Sequence, residues 1–301
     1  MKVLPVPLDH SSGNARLLAR DTSEFGFWIK AGRPGFWLTA IWFYLLPFQE
    51  RGVHHWNAAF WLGLIYVGFP LGMAIYAAND LTDARTDALN PRKDSWLFGA
   101  RPTSEQIRRL PWIITGVQLP FLGVFWILWG PKALLWFAAV LGATTIYNFA
   151  PTRTKDRAGL DTLSQVGYLL VFVLSDWVAG ASPSLVVYGF GALFAMHSHL
   201  FGQIMDIAPD ALAGRRTTAV HLGAQKAKLL VVALLLAEAV LARGLGCKAY
   251  LPPLLLLGAL GFAVDALVLW RGSAYPKWAA PAFLISWNGA LLLDIALSAW
   301  L

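Results

Sequence analysis

Long apolar runs dominate this chain, and their length limits what it can become. A helix needs roughly 17–25 mostly apolar residues to cross a bilayer. Runs that meet this template fall near 33–49, 57–78, 110–130, 132–150, 161–181, 184–205, 226–245, 250–270 and 278–300. Glycine, proline and charged clusters separate them, with tight turns expected at 130–132 and 181–184. The expected fold is all-α, a polytopic membrane protein of nine transmembrane helices, with Pro70, Pro120 and Pro281 kinking theirs. Composition agrees: 57% of residues are hydrophobic and 14% charged, against about 45–50% and about 25% in soluble domains. Residues 1–30 read as a polar leader with no apolar core of signal-peptide length and a short interfacial helix near Phe25 to Lys30. Residues 31–301 read as one membrane domain, and the single cysteine, Cys247, excludes an intrachain disulfide.

Nine spans place the leader and every even-to-odd loop on one face of the membrane. That face carries twenty Lys and Arg residues, whereas the other has only Arg51, Lys132, Arg243 and Lys248. The positive-inside rule makes the rich face cytoplasmic. The net charge of +7 is thereby topology and lipid contact, not a footprint for nucleic acid.

One acidic phrase occurs twice, each time at the end of an apolar run. Asp83, Asp87, Ala88, Leu89 and Arg92 are matched in spacing by Asp206, Asp210, Ala211, Leu212 and Arg215. The copies follow spans two and six, so they share an orientation, and the chain reads as two parallel four-helix-type halves plus one helix. Both phrases then lie at cytoplasmic helix ends, where they can face each other across the bundle.

Within each phrase the aspartates are i and i+4, on one face of a continuing helix, and Asn79 precedes Asp83 by one turn; Asp80 lies on a neighbouring face. Like charges at that spacing repel, and carboxylates are costly at a membrane boundary. A solvated loop balanced by neighbouring arginines explains one such phrase but not two at equivalent spans. Hard oxygen ligands call for Mg²⁺ or Ca²⁺, and Mg²⁺ characteristically completes its shell with substrate phosphate. The chemistry that fits is departure of diphosphate from an allylic isoprenoid, with the tail in the bundle and aromatic walls around the cation. Asn79, Asp83, Asp206 and Asp210 are the expected metal shell, assisted by Asp80 and Asp87, with Asp83, Asp206 and Asp210 central to catalysis.

The chain resembles the UbiA superfamily of intramembrane prenyltransferases over nearly its whole length after the leader. Asn79-Asp80-x-x-Asp83-x-x-x-Asp87 matches that family's first motif. Asp206-x-x-x-Asp210-x-x-x-Gly214-x-x-Thr217-Thr218-Ala219-x-x-Leu222-Gly223 matches its second. The resemblance implies nine helices around a central cavity, Mg²⁺ as cofactor and an isoprenyl diphosphate donor. Shorter stretches are similar to the lycopene elongases of C50 carotenoid synthesis: Gly32 to Trp37, Tyr147 to Pro151 with Arg153 and Lys155, Leu160 to Leu163, and Met196-His197. Ubiquinone-type members carry Tyr-Pro-x-x-Lys at the fourth-to-fifth loop. Tyr147-Asn148-Phe149-Ala150 departs from it, which argues against an aromatic acid as acceptor.

Arg33, Arg92, Arg153 and Lys155 are candidates to hold the diphosphate, with positive-inside anchoring as the alternative. Arg92 and Lys93 can instead neutralise Asp87 and Asp94. His197 and His199 lie about 10–13 Å deeper than Asp206 on one helix. His197 is the candidate pocket base, against a histidine satisfied by a neighbouring helix. Asp176, Glu238, Asp265 and Asp294 fall within spans and are given no role; His54 and His55 lie on the opposite side. The expected activity is prenyl transfer to an apolar second substrate. Its rivals are a UbiA-type terpene cyclase, which needs no acceptor, and a non-enzymatic transporter or lipid-binding protein.

Overall fold

A computed structural model describes residues 24–52, 57–180, 182–245, 249–273, 275–276 and 278–300. The leader up to residue 23, His54, His55 and Cys247 lie outside the described residues. Among those described, the chain is helical throughout, with no strand beyond two isolated backbone bridges.

After a short helix, Glu24–Ala31, come nine long helical segments. The first is Trp37–Arg51, and the second runs through Ala58–Val67, Phe69–Gly72, the π turn Met73–Ala77 and Ala78–Leu89. The third and fourth are Ser104–Trp129 and Pro131–Asn148. The fifth is composite, with Leu160–Leu163, a 3₁₀ stretch Ser164–Leu169 and Leu170–Ala179. The sixth to ninth are Leu185–Leu212, Ala224–Ala242, Leu251–Leu267 and Ala279–Trp300, with Thr218–Leu222 between the sixth and seventh. Among the described residues, four helices, at 58–84, 104–129, 185–212 and 279–297, are long and apolar enough to cross a membrane.

Polar residues at the helix ends explain where the runs start. Asn57, Thr103, Ser184 and Thr217 each accept the orphan backbone N–H three residues on, and Thr103 with Gln106 forms a capping box. Proline acts unevenly. The second helix breaks at Gly68, just before Pro70, whereas the third runs on through Pro111 and Pro120, and Pro281 falls in the first turn of the ninth. The break exposes backbone groups that hydrocarbon cannot solvate. Gln118 of the third helix donates to the Pro70 carbonyl at 2.7 Å and accepts from the Tyr66 hydroxyl at 2.8 Å.

Large side chains on the outward surface, such as Trp112 and Ile127, are about four-fifths exposed, as a lipid-facing surface requires. Inside, tryptophan indoles bridge helices: Trp42 donates to Asp294, Trp287 to Thr39 and Trp136 to the Leu170 carbonyl. Asp294 thereby has a role that its position in a span left open, and Asp265 likewise pairs with buried Lys228 at 2.8 Å. The Glu24–Ala31 helix is more than interfacial. Phe27 and Ala31 pack against Met73, Ala77, Ala100 and Leu110, and buried Lys30 pairs with Asp94.

Gly72 sits where the second helix meets the turn before the first. A Cβ there would lie 2.6 Å from the Gly32 backbone oxygen, which cannot give way as a side chain would. Gly72→Ala is expected to cost about 1–3 kcal/mol by overpacking, read as a lower midpoint of thermal unfolding in detergent. An unchanged midpoint would show that the turn yields.

Candidate active site

The second helix continues past the membrane-length stretch to Leu89, so Asp80, Asp83 and Asp87 all stand on ordered helix; the sixth helix carries Asp206 and Asp210 in the same way. Asp80, Asp83, Asp87 and Asp210 are buried at 1–5% exposure, which rules out a solvated acidic loop.

Each acid is turned toward a base. Asp80 pairs with Arg33 at 3.2 Å and Lys93 at 2.7 Å, and Lys93 also holds Asp87 at 2.9 Å. Asp83 meets Lys155 at 2.6 Å, Arg153 at 3.6 Å and Arg215 at 3.8 Å. Asp206 pairs with Arg92 and accepts from the Asn90 amide at 2.9 Å. Asp210 meets Arg215 at 3.1 Å, and Asp156 meets Arg215 at 2.6 Å as well as Arg153. Asn79 accepts from Lys155 at 2.9 Å.

This pairing accounts for the repetition. The arginine of the first phrase, Arg92, crosses to the first aspartate of the second, Asp206. The arginine of the second phrase, Arg215, reaches the first aspartate of the first, Asp83, as well as its own Asp210. The two copies neutralise each other across the bundle. Asp83 and Asp87 share a helix face but pair with different bases, since Lys93 joins Asp87 to Asp80, seven residues away. Lys93 thus neutralises Asp87 as expected, whereas Asp94 belongs to Lys30 and Arg92 to Asp206.

Burial and charge tune the groups outside the spans. Burial pulls the Lys155 ammonium down to about 8, against the raising pull of Asp83. Burial likewise lifts the Asp87 carboxyl to about 6, opposed by Lys93 and reinforced by Asp80. For Asp156 burial also pushes upward, but Arg153 and Arg215 outweigh it and hold the carboxyl below its ordinary value.

Among the described residues, no three acid, histidine or cysteine side chains converge as a metal cage, because the carboxylates are turned to lysine and arginine instead. Their oxygens nevertheless suit a hard cation. Asp80 Oδ2 is buried with no hydrogen-bond partner. Asp83 Oδ1, which faces Lys155 and Arg153, and Asp87 Oδ2, which faces Lys93, have ion-pair contacts that miss hydrogen-bond geometry. Buried and under-coordinated carboxylate oxygens are what Mg²⁺ selects.

Below this mouth opens a cavity of about 640 Å³, within the range of ligand-binding cavities, about 300–1,000 Å³. Its rim includes Arg33, Asn79, Arg92, Lys93, Asp206, Asp210 and Arg215, and its depth Trp42, Phe43, Phe190, Phe194, His197 and Trp287. Arg33 also lies 4.8 Å over the Tyr76 ring. The rings of Trp42, Phe194 and Trp287 lie 5.1–6.2 Å apart, mostly tilted or edge-on. The structure thus gathers the predicted acids and Arg33, Arg92, Arg153 and Lys155 around one mouth, and sets His197 deeper.

Arg215, Asp156 and Asn148 join the mouth without having been named as site residues. Arg215 carried a signal, since it repeats Arg92. Asp156 lies among Arg153, Lys155 and Arg157, a stretch whose excess of positive charge reads as membrane anchoring. Asp161 is another omission: fully buried, it accepts from the Thr218 backbone N–H and the Gln203 amide, both at 2.6 Å.

Residues 36–287 match the model of the UbiA prenyltransferase family, and the chain belongs to that family. It is an integral membrane prenyltransferase. A lycopene elongase/hydratase of Corynebacterium glutamicum is 29% identical over 246 residues, covering 80% of this chain and 84% of the relative. One from Haloferax volcanii is 32% identical over 208 residues, 66% of each chain. The fold is also that of a UbiA homolog from Archaeoglobus fulgidus, solved bound to GPP and Mg²⁺. The TM-score is 0.64 at 19% identity, over 90% of this chain and 97% of that one. Its structure bound to DMAPP and Mg²⁺ gives a TM-score of 0.62 at 21% identity, over 88% and 98%. At those identities the likeness concerns the fold alone. Family membership sets the transporter reading aside.

Proposed function

We propose that this enzyme ionises an allylic isoprenyl diphosphate with the help of Mg²⁺ and passes the prenyl group to an apolar acceptor of the carotenoid class. The observation that carries this reading is the mouth itself: two acidic phrases interleaved with bases above an aromatic-walled cavity. Asp83, Asp206 and Asp210 with Asn79 would hold the metal, with Asp80 and Asp87 beside them. When bound, Mg²⁺ neutralises charge building on the leaving diphosphate. Arg33, Arg92, Arg153, Lys155 and Arg215 would turn from the acids to the phosphate oxygens, for which an arginine fork is well matched. A diphosphate ester and divalent cations nearly cancel each other's charge, so the exchange leaves the neutralised mouth close to neutral. The apolar depth keeps water from the allylic cation, and the faces of its aromatic rings stabilise it.

The relatives' names favour a carotenoid acceptor, and the Tyr147-Asn148-Phe149-Ala150 stretch agrees. The flanking basic loops support a cytoplasmic position for the mouth and both phrases. In lipid nanodiscs, purified protein with Mg²⁺, lycopene as acceptor and allylic diphosphates of five to twenty carbons is expected to release pyrophosphate from at least one of them. EDTA should lower that release at least about 10²-fold, and added Mg²⁺ should restore it. Release indifferent to chelation removes the metal from the reading; no release from any donor removes the reading.

A further inference from the structure

Glu238 is a fully buried acid that the mouth does not use. It lies on the seventh helix, its side chain is fully buried, and Oε2 has no hydrogen-bond partner. Its other oxygen, Oε1, meets His197 Nδ1 of the sixth helix. A carboxylate inside a bundle is expensive and marks function by default. A purely structural tie would be expected to satisfy both oxygens, whereas this one is spent on a single imidazole that lines the cavity.

Resting on the prenyl-transfer reading above, we infer that His197, oriented by Glu238, takes the proton lost after coupling and so decides whether the product is an alkene. With Glu238 accepting from Nδ1–H, the ring's Nε2 is left as the acceptor; it meets only the Ser198 hydroxyl, at 3.5 Å. The neighbouring His199 cannot do this as readily, since its Nε2 already accepts from the Gln203 amide at 2.9 Å. His197 packs edge-on against Phe194 at 5.1 Å, inside the aromatic wall with Trp42 and Trp287. Nine residues of one helix separate it from Asp206, about 13 Å at 1.5 Å per residue. The base therefore lies on the hydrocarbon side of the leaving group.

The step balances. The acceptor's double bond attacks C1 of the allylic cation, forming the carbon–carbon bond and leaving positive charge on the acceptor's other alkene carbon. The electron pair of an adjacent C–H bond becomes the new double bond, and the proton goes to His197 Nε2. Nδ1–H stays bonded to Glu238, whose charge stabilises the imidazolium. The sum is donor diphosphate plus acceptor giving elongated alkene, diphosphate and one proton. His197 is the catalytic residue and Glu238 its positioning residue.

The test compares wild type, His197→Gln, His197→Ala and Glu238→Gln in nanodiscs with an allylic diphosphate, Mg²⁺ and lycopene, reading pyrophosphate and products together. Pyrophosphate release should stay within about tenfold of wild type, while elongated alkene falls about 10²-fold and the shortfall appears as water-captured alcohol. Imidazole should restore alkene to His197→Ala, which a structural role would not produce. An unchanged alkene-to-alcohol ratio in the histidine variants would overturn the assignment. So would release and product falling together with no imidazole rescue. If Glu238→Gln does not extract as folded protein, the two histidine variants decide the matter alone. A wild type that releases no pyrophosphate removes the prenyl-transfer reading, and the dyad with it.

Discussion

Asp83→Ala and Asp206→Ala are each expected to lower turnover at least about 10³-fold, the loss associated with removing charge stabilisation at a reacting centre. The two should differ in stability, because their surroundings differ. Asp83 is buried, and its removal strands the fully buried ammonium of Lys155; breaking such a pair costs about 3–5 kcal/mol. Asp206 is paired with Arg92, and both side chains are partly exposed, so its loss should cost little. Asp206→Ala is therefore the cleaner probe. It should keep a near-native thermal unfolding midpoint in detergent while pyrophosphate release disappears. Normal release from a folded Asp206→Ala protein would remove the second phrase from the chemistry.

Asp161→Ala should produce the largest loss of stability from one side chain. Asp161 receives the Thr218 backbone N–H and hydroxyl, the Gln203 amide and the Thr162 backbone N–H at 2.7 Å. These bonds tie the start of the fifth helix to the sixth helix and to the turn that follows the second acidic phrase. Alanine would leave several buried donors without an acceptor, each costing about 1–3 kcal/mol. A fall of the unfolding midpoint on the order of 10 °C follows. Arg215, held between Asp156 and Asp210 just upstream of Thr218, should lose its placement, so the donor KM should rise in whatever protein folds. Asp161→Asn keeps the volume and should lie between alanine and wild type. An alanine variant as stable as wild type would show that the network is redundant.

How far these features were legible in the sequence follows from their physics. The helices were, because hydrocarbon demands apolar length and length is local. The second helix ran further than its apolar run, to Leu89, since its polar end is held by tertiary ion pairs rather than by lipid. The acids of the mouth were legible because they repeat. Their partners were only partly so: Lys155 reaches Asn79 across 76 residues and Arg92 reaches Asp206 across 114, and no local pattern records a contact of that range. Arg215 carried a signal as the counterpart of Arg92 in the second copy, and Lys93 was legible as a neighbour able to neutralise Asp87. Glu238, a lone acid in an apolar stretch, gave no pattern at all. His197 was a candidate base by its depth alone, and its partner across two helices was not legible.

The central claim is transfer to a second substrate, and the mass of the product tests it most directly. Protein in nanodiscs would be given an allylic diphosphate and Mg²⁺, with and without lycopene, and the extracted lipids analysed by mass spectrometry. The account predicts pyrophosphate release that depends on acceptor and a carotenoid heavier by one or two prenyl units. Equal release without acceptor, yielding a cyclic hydrocarbon or alcohol from the donor alone, would contradict it and make the enzyme a terpene cyclase.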